Sequence, residues 1–260
     1  MNRLTQLFQT KTTDVLNVYF TAGYPQLTDT VPILRALQDA GADLVEIGMP
    51  YSDPVADGET IQRSNQQALE NGMTVARLFE QLQGVREQGI TVPVLLMGYL
   101  NPVVQFGVER FCQHCQAAGI DGLILPDLPL DVYERDYQRL FARYGLQTVL
   151  LVTPQTPPAR VRQLDALATG FLYLVAAAGT TGTQTDMNAD VDAYLARTKA
   201  LALRNPTLVG FGISDAASFR AASRHTTGAI IGSAFIRLLQ QTPAEGREAA
   251  IREFVAGIRP

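Results

Sequence analysis

Eight short apolar runs, alternating with amphipathic segments along 260 residues, predict a closed (β/α)8 barrel, the TIM-barrel class of α/β fold. Three observations carry that expectation. The apolar runs are nearly continuous rather than alternating, as in strands buried on both faces. Segments with helical spacing of apolar residues separate them. The length fits the roughly 250 residues this architecture takes as one unit. An open doubly wound sheet shares the alternation, but the count of eight favours the barrel.

A short helix over Leu4–Lys11 precedes the first strand, Asn17–Thr21. In Val31–Ala40, residues Ile33, Leu34, Leu37 and Ala40 fall on one helical side. The second strand is Leu44–Gly48 and the third Val94–Gly98, followed by a helix over Gly107–Ala118. Strand Gly122–Leu125 leads to helix Asp131–Tyr144, strand Thr148–Val152 to helix Pro158–Ala168, and strand Phe171–Val175 to helix Val191–Leu203. Strand Thr207–Phe211 leads to helix Ala216–Ser223. Strand Ala229–Ile231 leads to the short helix Ala234–Leu239 and a last helix over Pro243–Ile258. GADLVEIG, GIDGLILPD and TTGAIIGS repeat one plan of glycine turn, strand and a small or acidic residue. No linker interrupts the series, so residues 1–260 are expected to form a single domain.

Hydrophobic residues make up 47% of the chain and charged residues 18%, which supports a packed core. The net charge is −4 and no basic run occurs, which excludes nucleic acid and anionic membrane as expected partners. The opening residues lack the apolar centre of a signal peptide, and no apolar stretch is long enough to span a bilayer. Two cysteines, Cys112 and Cys115, give no disulfide framework, so a cytoplasmic location is expected. Cys112-Gln113-His114-Cys115 has no second ligand pair for zinc and sits in a helical pattern, which favours core packing. The two histidines, His114 and His225, follow no strand. Metal and His-dependent catalysis are therefore not expected, and acid–base work falls to carboxylates.

In barrels of this class the C-terminal strand ends carry the chemistry, and the loops after strands 7 and 8 recur as a phosphate site. Gly210–Ser214 and Gly232-Ser233 occupy those two places, and Gly179–Thr183 follows strand 6. Glycine lets an anion approach the backbone N–H groups at a helix N-terminus. Neither a Walker A sequence nor a dinucleotide fingerprint is present. Glu46 lies inside the apolar run Leu44–Gly48. A carboxylate there points into the barrel mouth or is buried at a cost, and burial raises its pKa into a range suited to acid–base catalysis. Asp53 and Asp57, in the loop Pro50–Gly58, fit either a functional role or a cap on the next helix. Asp127 either orients a partner or accepts backbone N–H groups.

Taken together, Thr21-Ala22-Gly23, VEIGMPYSDPVADG (Val45–Gly58), MGYLNP (Met97–Pro102), GIDGLILPDLP (Gly119–Pro129), Gly170–Tyr173, Gly179–Gly182, VGFGIS (Val209–Ser214) and Gly232-Ser233 resemble the α subunit of tryptophan synthase. The resemblance is collinear over nearly the whole chain. It implies cofactor-free retro-aldol cleavage of indole-3-glycerol phosphate to indole and glyceraldehyde 3-phosphate. By that resemblance Glu46 is the proton shuttle and Asp57 holds the indole N–H. Tyr173 lies beside the indole, and Tyr19, Ile61, Met97 and Phe211 line its pocket. Gly182, Gly212, Gly232 and Ser233 bind phosphate, and Thr181 belongs to the closing loop. The implied partner is a β subunit, in an αββα assembly, which carries the pyridoxal phosphate and receives indole. The surfaces around Pro50–Asp53 and Asn101–Gly107 would face it. A stand-alone indole-producing lyase, a silent phosphate-ligand-binding barrel and a sugar-phosphate isomerase are the competing expectations.

Overall fold

The computed structural model describes residues 1–176, 184–210 and 212–259. Among them, eight parallel strands close into a barrel in chain order. They are β1 Val15–Thr21, β2 Leu44–Gly48, β3 Val94–Met97, β4 Gly122–Ile124, β5 Gln147–Val152, β6 Leu172–Val175, β7 Thr207–Gly210 and β8 Gly228–Ile231. Strand β8 pairs back onto β1, from Val15 opposite Gly228 to Val18 opposite Ile231, so no sheet edge is left. Every expected strand is present, with ends displaced by a residue or two.

Each strand sends an apolar side chain inward. Val15, Leu44, Leu95, Ile124, Val149, Tyr173, Leu208 and Ile230 form one buried cluster with Phe171 and Leu4. The interior is thus a packed core rather than a pore. The helix Arg3–Thr10 closes its lower end: Leu4 is fully buried, and Phe8 meets Phe171 edge-on with ring centroids 5.9 Å apart. Below the strands, buried Asp121 accepts from Arg3 at 3.2 Å, Arg86 at 2.9 Å and the Val94 N–H at 3.0 Å. A second, larger apolar cluster fills the layer between strands and outer helices, including Phe20, Ile33, Leu34 and Phe235. With the bottom closed in this way, the open end is the one at the strands' C-termini.

Several helices depart from expectation. The segment expected as one helix over Asp131–Tyr144 is Leu130–Val132, a π-helical turn Tyr133–Tyr137, then Gln138–Arg143. The wider turn brings both Tyr133 and Tyr137 onto Phe141. The helix expected over Val191–Leu203 runs instead over Gln184–Lys199, because its polar opening hides the start and Ala202, at φ 48°, breaks the end. Pro243–Ile258 divides at Gly246 into a 3-10 turn, Ala244–Gly246, and the helix Arg247–Ile258. Helices Glu59–Glu70, Val75–Leu82 and Leu100–Phe106 were not expected. In Glu59–Glu70 two of the four buried residues are polar, Ser64 and Asn65, so apolar spacing does not mark it.

Candidate active site

Strands β1 and β2 run in register with Tyr19 opposite Glu46 and Thr21 opposite Gly48. Gly48 is required there, because the Tyr19 hydroxyl occupies the space a Cβ would need. Gly210 makes the same allowance for Tyr173, from the neighbouring strand. Both tyrosines are thereby laid across the open end. The Tyr19 hydroxyl lies 3.3 Å from Thr21 Oγ1, which lies 2.6 Å from Ser64 Oγ.

Glu46 is fully buried. The Asn17 side-chain amide donates to Oε1, while Glu46 Oε2 and Asn17 Oδ1 have no partner among the described residues. Loss of hydration pushes the Glu46 pKa up to about 8, against the pull of the Asn17 donor. The carboxyl therefore holds its proton at neutral pH.

Asp57 sits on the loop after β2. Burial pushes its pKa up to about 6, against the hydrogen bond it accepts from the Tyr99 hydroxyl. That bond is 3.1 Å long, and the Ala56 N–H donates to the same Tyr99 oxygen at 2.9 Å. At neutral pH Asp57 is mostly ionised. Two carboxyls in one cavity are thus pushed up to different extents, Glu46 further than Asp57. Asp57 caps no helix: the cap of Glu59–Glu70 is Gly58, with no side-chain hydrogen bond. Asp53 is exposed and accepts from the Ser52 hydroxyl at 2.5 Å. Asp127 accepts the Leu100 N–H at 2.9 and 3.1 Å, the backbone-acceptor alternative, and so fixes the chain beside Tyr99.

A cavity of about 330 Å³ opens between these groups. Tyr19, Glu46, Asp57, Ile61, Met97, Tyr173, Gly212, Gly232 and Ser233 all line it, with Gly58, Ile213, Ser214, Ile230, Ala234 and Arg237. Ile61, Met97 and Ile230 give it apolar wall. Gly212, at φ 78°, lines the same cavity as Gly232 and Ser233, the cap and first residue of helix Ser233–Gln241. Both glycine elements therefore flank one anion-compatible corner. Phe211, Thr181 and Gly182 lie outside the described residues, as does the rest of Gly179–Thr183.

Asn17, Tyr99 and Arg237 were not singled out from the sequence. Asn17 carries the signal that marked Glu46, a polar residue inside an apolar strand. Cys112 and Cys115 are buried thiols in helix Val108–Ala117, and burial pushes Cys112 up to about 12, so this pair is core packing. His114 lies against Phe79 and Phe106, with ring centroids 5.1 and 5.3 Å away. Among the described residues no group of His, Cys, Asp or Glu side chains is arranged to hold a metal. Nor is any described helix long and apolar enough to cross a membrane.

A parallel eight-stranded barrel with paired carboxyls and a glycine-lined corner at its C-terminal mouth defines the class of phosphate-binding barrel enzymes. Comparison with known families narrows this. The model of the tryptophan synthase alpha chain family matches residues 5–258. The tryptophan synthase alpha chain of Parabacteroides distasonis is 52% identical over 247 residues, covering 94% of this chain and 96% of that one. That of Flavobacterium johnsoniae is 50% identical and covers 100% of both. The crystal structure of tryptophan synthase subunit alpha from Legionella pneumophila superposes with a TM-score of 0.86 at 30% identity, covering 99% of this chain and 98% of that one. The chain belongs to the tryptophan synthase alpha chain family.

Proposed function

We propose that the chain is the lyase of the α reaction, cleaving indole-3-glycerol phosphate into indole and glyceraldehyde 3-phosphate. The observation that carries this reading is the pair Glu46 and Asp57 lining one cavity, with burial raising both carboxyls and Glu46 the more.

Protonated Glu46 gives its proton to indole C3, which turns the ring into an electron sink. Asp57, as a carboxylate, accepts a hydrogen bond from the ring N–H and stabilises the positive charge that develops there. The C3–C3′ bond then breaks as the 3′-hydroxyl returns a proton to the Glu46 carboxylate and becomes the aldehyde. Rearomatised indole leaves, and Glu46 is again protonated, so one group serves as acid and then base. Ile61, Met97, Tyr19 and Tyr173 supply the apolar and aromatic wall a flat ring needs. Gly212, Gly232 and Ser233 receive the phosphate. Thr181, Gly182 and Phe211 keep the roles the family resemblance gives them.

The partner in this reading is a pyridoxal-phosphate β subunit in an αββα assembly, with the cofactor on that partner and none in this chain. Its docking face includes Val104, 49% exposed, on the Asn101–Gly107 surface, and extends from Pro50–Asp53 to Val55, 86% exposed. We further read residues 1–260 as one domain working in a reducing cytoplasm, which the two buried thiols suit.

Turnover by wild type and by Glu46→Gln tests the site. The variant is expected to lose about 10²–10⁴-fold in kcat while still binding substrate. Near-normal turnover would remove the proton shuttle from the reading.

A further inference from the structure

We propose that Asn17 is a positioning residue for the proton-transferring carboxyl: its side-chain amide engages Oε1 of Glu46 and leaves Oε2 as the oxygen presented to the reacting carbon and hydroxyl. The proposal rests on the lyase reading of the site and deepens it.

Asn17 lies on β1 opposite Leu44 of β2 and Ile230 of β8, both members of the barrel-core cluster. It therefore faces the barrel interior, one layer beneath Tyr19 and Glu46. It is fully buried, and a buried primary amide is costly unless it is used. Among the described residues its one hydrogen bond as donor is to Glu46 Oε1. The carboxyl is left asymmetric: Oε1 is engaged from below, and Oε2 has no partner among the described residues although its residue lines the cavity. Without the amide, nothing else described would fix the rotation of the Glu46 carboxyl plane.

The titratable groups facing Glu46 are Tyr19 of β1, Tyr173 of β6 and Asp57 of the loop after β2. Burial keeps both tyrosines in the hydroxyl form. β3 and β8 contribute Leu95, Met97 and Ile230, which do not titrate. Among the described residues the Asn17 donor is therefore the one neighbour that holds the carboxyl's affinity for protons down.

The test uses Asn17→Leu, which removes the donor at similar volume, and Asn17→Ala, which removes it with a smaller side chain. The carboxyl of Glu46 is titrated by 13C NMR in the wild type and both variants, and kcat and KM are measured alongside. Removing the donor is expected to raise the Glu46 midpoint by about one pH unit or more, since a hydrogen bond to a charged group is of that size. The alkaline limb of the activity profile should rise with it. kcat should fall about 10–10²-fold through the misplaced carboxyl while KM stays unchanged. Asn17→Ala removes the same donor without adding a titrating group, should raise the midpoint in the same direction, and carries the test if Asn17→Leu does not fold. A midpoint unchanged or lowered in the folded variants, or a loss confined to KM, overturns the proposal. If the wild type does not cleave indole-3-glycerol phosphate, the lyase reading fails, and the NMR titration still decides whether Asn17 governs Glu46.

Discussion

Replacing Glu46 by glutamine should make the chain more stable as well as inactive, and the gain should depend on pH. Burial raises the Glu46 pKa from an ordinary 4.5 to about 8. Between those values the folded state holds a proton that the unfolded state has released. The stability that proton brings is complete below pH 4.5 and is lost as pH rises through about 8. At about 1.4 kcal/mol for each pH unit, wild type forgoes about 3 kcal/mol at pH 7 and about 5 kcal/mol above pH 8. Glutamine does not ionise, and Asn17 still has a side-chain oxygen to donate to. The variant should therefore exceed wild type by those amounts, which at pH 7 is a rise in melting temperature of about 6–12 °C for a chain of this size. Urea unfolding at pH 5, 7 and 9 reads it directly: the two curves should converge at pH 5 and separate as pH rises. Parallel pH dependences would refute the claim that Glu46 is held protonated by burial.

Activity should trace a bell in kcat/KM, rising as Asp57 ionises through about 6 and falling as Glu46 loses its proton through about 8; a profile flat from pH 5 to 9 would contradict the division of labour. Tyr99→Phe deprives Asp57 of a donor and should move only the lower limb to higher pH. Asp57→Asn should cost about 10²–10³-fold in kcat by removing the charge that faces the ring nitrogen, readable from initial rates. Gly232→Asp should raise KM, because the new side chain would enter the cavity beside Tyr19 and Ile61 and set a carboxylate against the phosphate; an unchanged KM would move the phosphate elsewhere.

The barrel was legible because strands covered on both faces leave continuous apolar runs, and all eight did. Glu46 was legible for the complementary reason: a charge inside such a run must be used or neutralised. Asn17 showed the same signal as Glu46, a polar residue inside an apolar strand, but without a charge its role declares itself only with its partner, and a tyrosine in a loop such as Tyr99 carries no such signal. Helix Glu59–Glu70 escaped because two of its four buried residues, Ser64 and Asn65, are polar, Ser64 meeting Thr21 of β1. The alternative roles for Asp57 and Asp127 separated only with geometry: one side chain faces Tyr99 in the cavity, the other accepts a backbone N–H.

The most direct test of the central claim is release of indole and glyceraldehyde 3-phosphate from indole-3-glycerol phosphate, measured with and without an added β subunit. The expected result is formation of the two products in equal amounts, slow alone and strongly accelerated by the partner. Absence of either product in both conditions would contradict the lyase assignment.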